Sequence, residues 1–213
     1  MSLVTCLCVT HERHKWIPWV YAQVMKQTCG TDGRVFDSSA VPHQLSNRPC
    51  DPIAIAPKRN IALASVTSPY FAWFDDDDWS HPERLERCVE LLEACPQLVA
   101  AGPVDAYKID ARTLAAQPYT TNEHLIFNGA EFRTSHWQRF SFAERLAVGE
   151  DTDWMMRGLR GQAYGVVNKI LSAWLCHTRN IANRADRILF ERTYPAQLTA
   201  FKAELESNPE YQR

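Results

Sequence analysis

The chain has 213 residues, with 23 Lys plus Arg against 25 Asp plus Glu, a formal charge of −2 at pH 7. A chain of that length buries about 70% of its unfolded surface and makes one sizeable domain, with no room for a second full one. The near-balanced charge excludes a generic polyanion binder, so nucleic acid or an acidic membrane would have to be met by a local patch.

The first residues, LVTCLCV at 3–9, are short, apolar and β-branched, and read as a buried strand. A helix is expected over 16–27, with Pro18 tolerated in its first turn. A short second strand is expected at 34–37 and a loop over 38–51, where Pro42 and Pro49 interrupt. Residues 55–66 read as a helix and 70–74 (YFAWF) as a fully buried strand. A helix follows over 81–94 with Pro82 near its start, then strands at 98–101 and 125–127. The pattern turns helical over 151–161, a pair of strands is expected at 163–167 and 170–176, and 185–205 closes the chain as a helix. Strands alternating with helices imply an α/β fold, a mostly parallel sheet covered on both faces, with ligands beyond the carboxyl ends of its strands.

Seven cysteines, an odd number with no Cys-x-x-Cys spacing, fit a reduced, cytoplasmic setting rather than a zinc or disulfide framework. The N-terminus lacks a basic stretch ahead of its apolar residues, so no secretory signal is expected. No apolar run approaches the roughly 20 residues of a membrane span. No feature indicates an oligomeric state.

The strongest motif is YFAWFDDDDW, which delivers Asp75, Asp76, Asp77 and Asp78 to the end of a buried strand. Four adjacent carboxylates repel one another, and a bound cation would relieve that repulsion. Hard oxygen ligands suit Mg2+ or Mn2+, which take one or two carboxylates and complete their shell with water and phosphate oxygens, as on a nucleotide diphosphate. The alternative is an acidic turn in which Asp78 caps the helix that follows. Arg59 and Asn60 stand on the helix before this strand, either near a diphosphate or as surface residues. Glu150 and Asp151 open a helix, where carboxylates are common, and the second could accept a proton from an attacking hydroxyl. His177 ends the last strand, as a ligand or as a structural histidine.

Taken together these motifs resemble the GT-A glycosyltransferases, in particular the inverting family-two type, over about residues 3–180. The resemblance rests on VTHER, on Lys58-Arg59-Asn60, on FDDDDWSHPERL and on GEDTDW. It implies a single GT-A domain over 1–180, with a C-terminal helical extension, 181–213, packed on it. It implies that Asp75 and Asp77 are the Asp-x-Asp pair, with Asp77 and His177 at a divalent metal and Asp75 at the ribose or a metal-bound water. Thr10, His11, Arg13, Asp37, Arg59, Asn60, Asp75 and Asp76 would bind the nucleotide sugar. Asp37 would read the base, Asp151 would be the general base, and Glu150 would position it or the acceptor. The implied activity is metal-dependent, inverting transfer of a sugar from a nucleotide-diphosphate sugar, a UDP-hexose by expectation, to a hydroxyl of a saccharide or glycan precursor.

The chain departs from the family pattern where GRVFDSS carries Ser38 in place of a second Asp, and where His11 replaces the usual Tyr. Two other readings compete. A phage-type enzyme acting on a hydroxymethylated pyrimidine in DNA would use Arg133, Arg139 and Arg145 interleaved with Trp137, Phe140 and Phe142 to hold phosphates and stack bases. A non-catalytic nucleotide-sugar or cation-binding module would need only the acidic cluster.

Overall fold

The computed structural model describes residues 2–50, 54–110, 113–121, 124–146 and 148–176. In chain order the elements are β1 (Val4–Thr10), α1 (Ile17–Met25), β2 (Thr31–Asp37), β3 (Arg48–Pro49), α2 (Ile55–Ala64), β4 (Tyr70–Trp73), β5 (Trp79–Ser80) and α3 (Arg84–Ala94). They continue with β6 (Leu98–Gly102), β7 (Asp105–Asp110), β8 (Ala116–Thr120), β9 (Glu131–Arg133), α4 (Thr134–Trp137), α5 (Glu150–Leu159), β10 (Ala163–Val166) and β11 (Ser172–Cys176). The main sheet has the order β10-β6-β9-β4-β1-β2-β3, parallel throughout except where β9 runs antiparallel between β4 and β6. A second sheet, β5-β11-β7-β8, adjoins it. The expected α/β fold with a mostly parallel central sheet flanked by helices is therefore present.

The strand alternation explains the two cores. Val4, Cys6 and Cys8 of β1 face the side covered by α1 and α3, while Leu7 and Val9 face the side covered by α2 and α5. Because both faces are covered, β1 and β4 are buried along their whole length and read as unbroken apolar runs. On the second side Trp154 of α5 stacks on Phe142 at 4.7 Å and lies 4.2 Å from Trp137 between ring centroids. Each such aromatic contributes several kcal/mol, about 1.5–3 for full burial alone. This anchor seats the helix whose first turn carries Glu150 and Asp151.

Several sequence expectations need correction. Residues 125–127 form no strand. Their end belongs to a 3₁₀ turn, Phe127–Gly129, whose ring stacks on Trp73 while Ile126 N–H donates to Pro103 O at 2.8 Å. The expected pair at 163–167 and 170–176 is divided, since β10 joins β6 in the main sheet and β11 joins β7 and β5 in the second. The aromatics offered for base stacking are core: Trp137 and Phe142 are 0% and 1% exposed, and Arg133 donates inward to the carbonyls of Leu92 and Leu98. Asp78 does not cap a helix, for its carboxylate accepts from Leu175 N–H at 3.2 Å and from the Asn128 amide. The expected helix at 185–205, the 180/181 boundary and His177 lie outside the described residues. All seven cysteines are free thiols, and no helix among the described residues is long and apolar enough to cross a membrane.

One buried group makes the fold sensitive to pH. Glu131 sits in β9 between Ala72 and Ala101 of its neighbours, 0% exposed, with neither carboxyl oxygen hydrogen-bonded. Burial pushes its pKa well above the usual range, and the charge of Arg84 only partly opposes this. A carboxyl raised on folding gives its full stability below its unfolded pKa of about 4.3 and loses it as pH climbs toward the folded value. Melting temperature should therefore fall with rising pH above about 4.3, and Glu131→Gln should flatten that slope. A variant that tracked the wild type from pH 5 to 9 would show that Glu131 does not carry it.

Candidate active site

The site is built where β4 ends. Phe74 N–H donates to Leu7 O at 2.8 Å, which fixes the strand end beside β1, and the chain then turns through Asp75 to Asp78, closed by Asp78 N–H to Asp75 O at 3.3 Å. Asp76 and Asp77 are 2% and 7% exposed. Thr10, at the carboxyl end of β1, donates its hydroxyl to Asp76 Oδ2 at 2.5 Å. Arg13 spans two carboxylates, donating from Nη1 to Asp76 Oδ1 at 2.5 Å and from Nη2 to Asp77 Oδ2 at 2.6 Å. To bring it there the backbone passes through Glu12 at φ 52°, a conformation tied down by Glu12 N–H to Ser39 Oγ at 2.7 Å.

A second guanidinium joins the acidic turn to α5. Arg59, 2% exposed on α2, donates from Nη1 to Glu150 Oε1 at 2.7 Å and from Nη2 to Asp75 Oδ1 at 3.1 Å, and lies 4.6 Å from the Phe127 ring centroid. Gly149 in the left-handed region at φ 78° lets the chain enter α5 with Glu150 and Asp151 in its first turn. Asp151 is half-buried, and its Oδ1 accepts from Thr152 N–H at 2.7 Å. It lies close enough that its charge raises the pKa of both Asp75 and Glu150.

The electrostatics follow from burial of like charges. Burial, then the charge of Asp77, pushes Asp76 up to about 7 against the pull of Arg13. Burial also lifts Asp75, Asp78 and Glu150 above the usual carboxylate range. Such an excess of hard anionic oxygens fits a divalent ion, with the carboxylates of Asp75 and Asp77 as the candidates to hold it. Among the described residues no group of three or more His, Cys, Asp or Glu is arranged to hold a metal ion by itself.

At the end of β2, burial disfavours charge on Asp37, but the hydrogen bonds it accepts from Ser39, His43 and Ser46 outweigh this and hold its pKa low. That carboxylate organises the following loop. His11 Nδ1 meets Ser38 at 3.1 Å, and the buried Lys58 ammonium donates to Thr10 O at 2.8 Å and to Ser38 Oγ at 3.1 Å. A cleft of about 500 Å³ opens here, lined in part by Arg13, Lys15, Ser39 and Val41.

Thr10, Arg13, Arg59, Asp75, Asp76, Asp77, Glu150 and Asp151 thus meet in one network, with His11 and Asp37 at its edge. Asn60 is not among them: its amide group clasps the backbone of Phe142, accepting at 2.7 Å and donating at 3.1 Å. Sequence reasoning did not single out Asn128, which ties Asp78 to the turn before β9, or Lys58 and Ser39 as parts of the site. Their signal was position: Ser39 follows the end of β2, Lys58 stands in the first turn of α2 and Asn128 in the turn before β9.

Residues 54–148 match the sequence profile of Glycosyl transferase family 2. That segment resembles the family-two glycosyltransferases. It holds Arg59 and the acidic turn, and α5 begins just beyond it. Over 44% of this chain the sequence is 27% identical to the succinoglycan biosynthesis protein ExoO of Rhizobium meliloti (strain 1021), and the match spans 33% of that protein. Among solved structures, S. aureus TarS 1–349 in complex with UDP-GlcNAc superposes with a TM-score of 0.63 at 13% identity, covering 88% of this chain and 62% of that one. The mannosyltransferase PcManGT from Pyrobaculum calidifontis, in complex with GDP-Man and Mn2+, gives a TM-score of 0.61 at 15% identity over 83% of this chain and 58% of that one. The described fold is therefore the GT-A fold of these neighbours. The chain spans about a third of the curated relative and about three-fifths of these solved chains.

Proposed function

We propose that this chain transfers a sugar from a nucleotide-diphosphate sugar, a UDP-hexose, to a hydroxyl of a saccharide or glycan precursor, with inversion at the anomeric carbon. The observation that carries the proposal is the Arg59 bridge between Asp75 of the acidic turn and Glu150, whose neighbour Asp151 lies near enough for its charge to act on Asp75, which supports reading Asp151 as a general base beside the donor diphosphate. A divalent cation held by Asp77 and Asp75 would supply charge compensation for the leaving diphosphate.

The chain's own groups do the rest. Arg13 and Lys15 line the cleft and offer cationic donors to phosphate oxygens. Asp37 and its serine-rich loop shape the base end. Asp151 takes the proton of the acceptor hydroxyl as it attacks from the face opposite the leaving group, and Glu150, fixed by Arg59, keeps the start of α5 in place. The resemblance of TarS and PcManGT, solved with UDP-GlcNAc and with GDP-Man and Mn2+, supports a nucleotide-sugar donor of this kind. A cytoplasmic setting is part of the proposal.

The test is a panel of UDP-, GDP- and TDP-sugars with Mn2+, read by calorimetry and by free sugar released. One UDP-sugar should bind and be slowly hydrolysed, and Asp77→Asn should weaken its Mn2+-dependent binding at least tenfold. Binding without any sugar release would overturn the enzymatic reading in favour of a binding module, and unchanged affinity in Asp77→Asn would remove that residue from the cation.

A further inference from the structure

The contact between Arg13 and the acidic turn is unusual in its geometry. A guanidinium commonly pairs with both oxygens of one carboxylate, but here its two terminal nitrogens go to two different aspartates, Asp76 at 2.5 Å and Asp77 at 2.6 Å. The Asp77 oxygen it engages belongs to the carboxylate proposed to hold the divalent ion. The Arg13 side chain is 26% exposed, while those of its partners are 2% and 10% exposed, so it lies on the cleft side of the turn and they lie beneath it. Arg13 also lines the cleft that opens beyond the ends of β1 and β2.

From this arrangement we infer that Arg13 is an internal counter-ion occupying the cation's place on Asp77, so that loading the divalent ion is an exchange that frees a guanidinium toward the donor phosphates. The inference rests on the proposed metal-dependent reading of the site and adds to it a positioning residue with two alternating partners. The physical argument is short. Without a cation, adjacent buried carboxylates need a positive group, and Arg13 supplies one. A dication entering beside Asp77 repels the guanidinium and competes for the same oxygen. Once released, the guanidinium remains on a side chain that lines the cleft, where a diphosphate offers it oxygens at low ordering cost. Cation and donor are then coupled, since each makes room for the other's favourable contact.

Opposite signs in two binding measurements identify such an exchange. Titrated with Mn2+ alone and followed by the electron paramagnetic resonance of the free ion, Arg13→Gln should bind Mn2+ about tenfold or more tightly than the wild type, one decade being about 1.4 kcal/mol. At saturating Mn2+, the same variant should bind UDP-sugar about tenfold more weakly. Arg13→Lys keeps the charge but cannot span two carboxylates, and should fall between the two in Mn2+ affinity. It provides the measurement if the Gln variant does not fold. A purely structural role would weaken both affinities, and a purely donor-binding role would leave the affinity for Mn2+ alone unchanged, so either result overturns the inference. Absence of Mn2+ binding in wild type and variants alike would instead overturn the metal-dependent reading on which it rests.

Discussion

Asp151→Asn is expected to lower sugar transfer by about 10²–10⁴-fold while leaving donor affinity within about twofold, because it removes the proposed general base and little else. The substitution is nearly isosteric. Its side-chain oxygen can still accept from Thr152 N–H, the contact Asp151 makes now, so the first turn of α5 keeps its geometry. Asp151 is half-buried, whereas Glu150 is 5% exposed with its carboxylate engaged by Arg59. Loss of its charge should also lower the pKa of Asp75 and Glu150, since Asp151 now raises both. Asp153→Asn is the control: that residue pairs with Arg157 at 2.8 Å on the same helix, and its loss should leave transfer near wild type. Turnover measured beside calorimetric donor affinity decides the matter, and an Asp151→Asn enzyme with wild-type kcat would exclude it as the base.

Arg59→Met should be the most destabilising single change at the site. It leaves Glu150 and Asp75 facing each other around an apolar side chain, and removing one partner of a buried ion pair costs about 3–5 kcal/mol. For a domain of this size each kcal/mol shifts the melting temperature by about 2–4 °C, so a fall of about 6–20 °C is expected. Adding Glu150→Gln to Arg59→Met should recover part of that loss, because the stranded carboxylate is then neutral, and the double-mutant cycle should show a coupling energy of about 1 kcal/mol or more. A melting temperature within about 2 °C of wild type for Arg59→Met alone would mean that the bridge does not hold α5 to the acidic turn.

The parts of the fold that were legible in the sequence are those whose signal is local. LVTCLCV and YFAWF are buried on both faces, so their unbroken apolar runs announced the two central strands to within about a residue. The four aspartates and GEDTDW were legible for a related reason, being charges set directly against apolar runs. The misses are non-local. Glu131-Phe132-Arg133 has only three residues and carries a buried glutamate, so nothing in its pattern says that it fills the gap between β4 and β6. The β7–β8 hairpin was missed because its second strand, AQPYT, contains Pro118 and is only half-buried, which weakens strand periodicity. At the site, Arg59 was read as a donor ligand because sequence places it near the diphosphate, and only the structure reveals that Glu150, 91 residues on, engages it. The contact of Asn60 was hidden for the same reason, its partner Phe142 being 82 residues away.

The strand order has a consequence for how the chain is made. β4 and β6 are not neighbours, and the slot between them waits for β9, which leaves the ribosome about 30 residues after β6. At roughly 5–20 residues per second that interval is about two to six seconds. During it the nascent sheet presents an open backbone edge on Tyr70-Phe71-Ala72-Trp73, and Leu98 to Gly102 still lacks both of its partner strands, both segments being apolar and competent to pair with another chain. Yield in the cell should accordingly depend on translation speed and on chaperones that shield extended segments, with the critical window falling as codons for residues 103–133 are read.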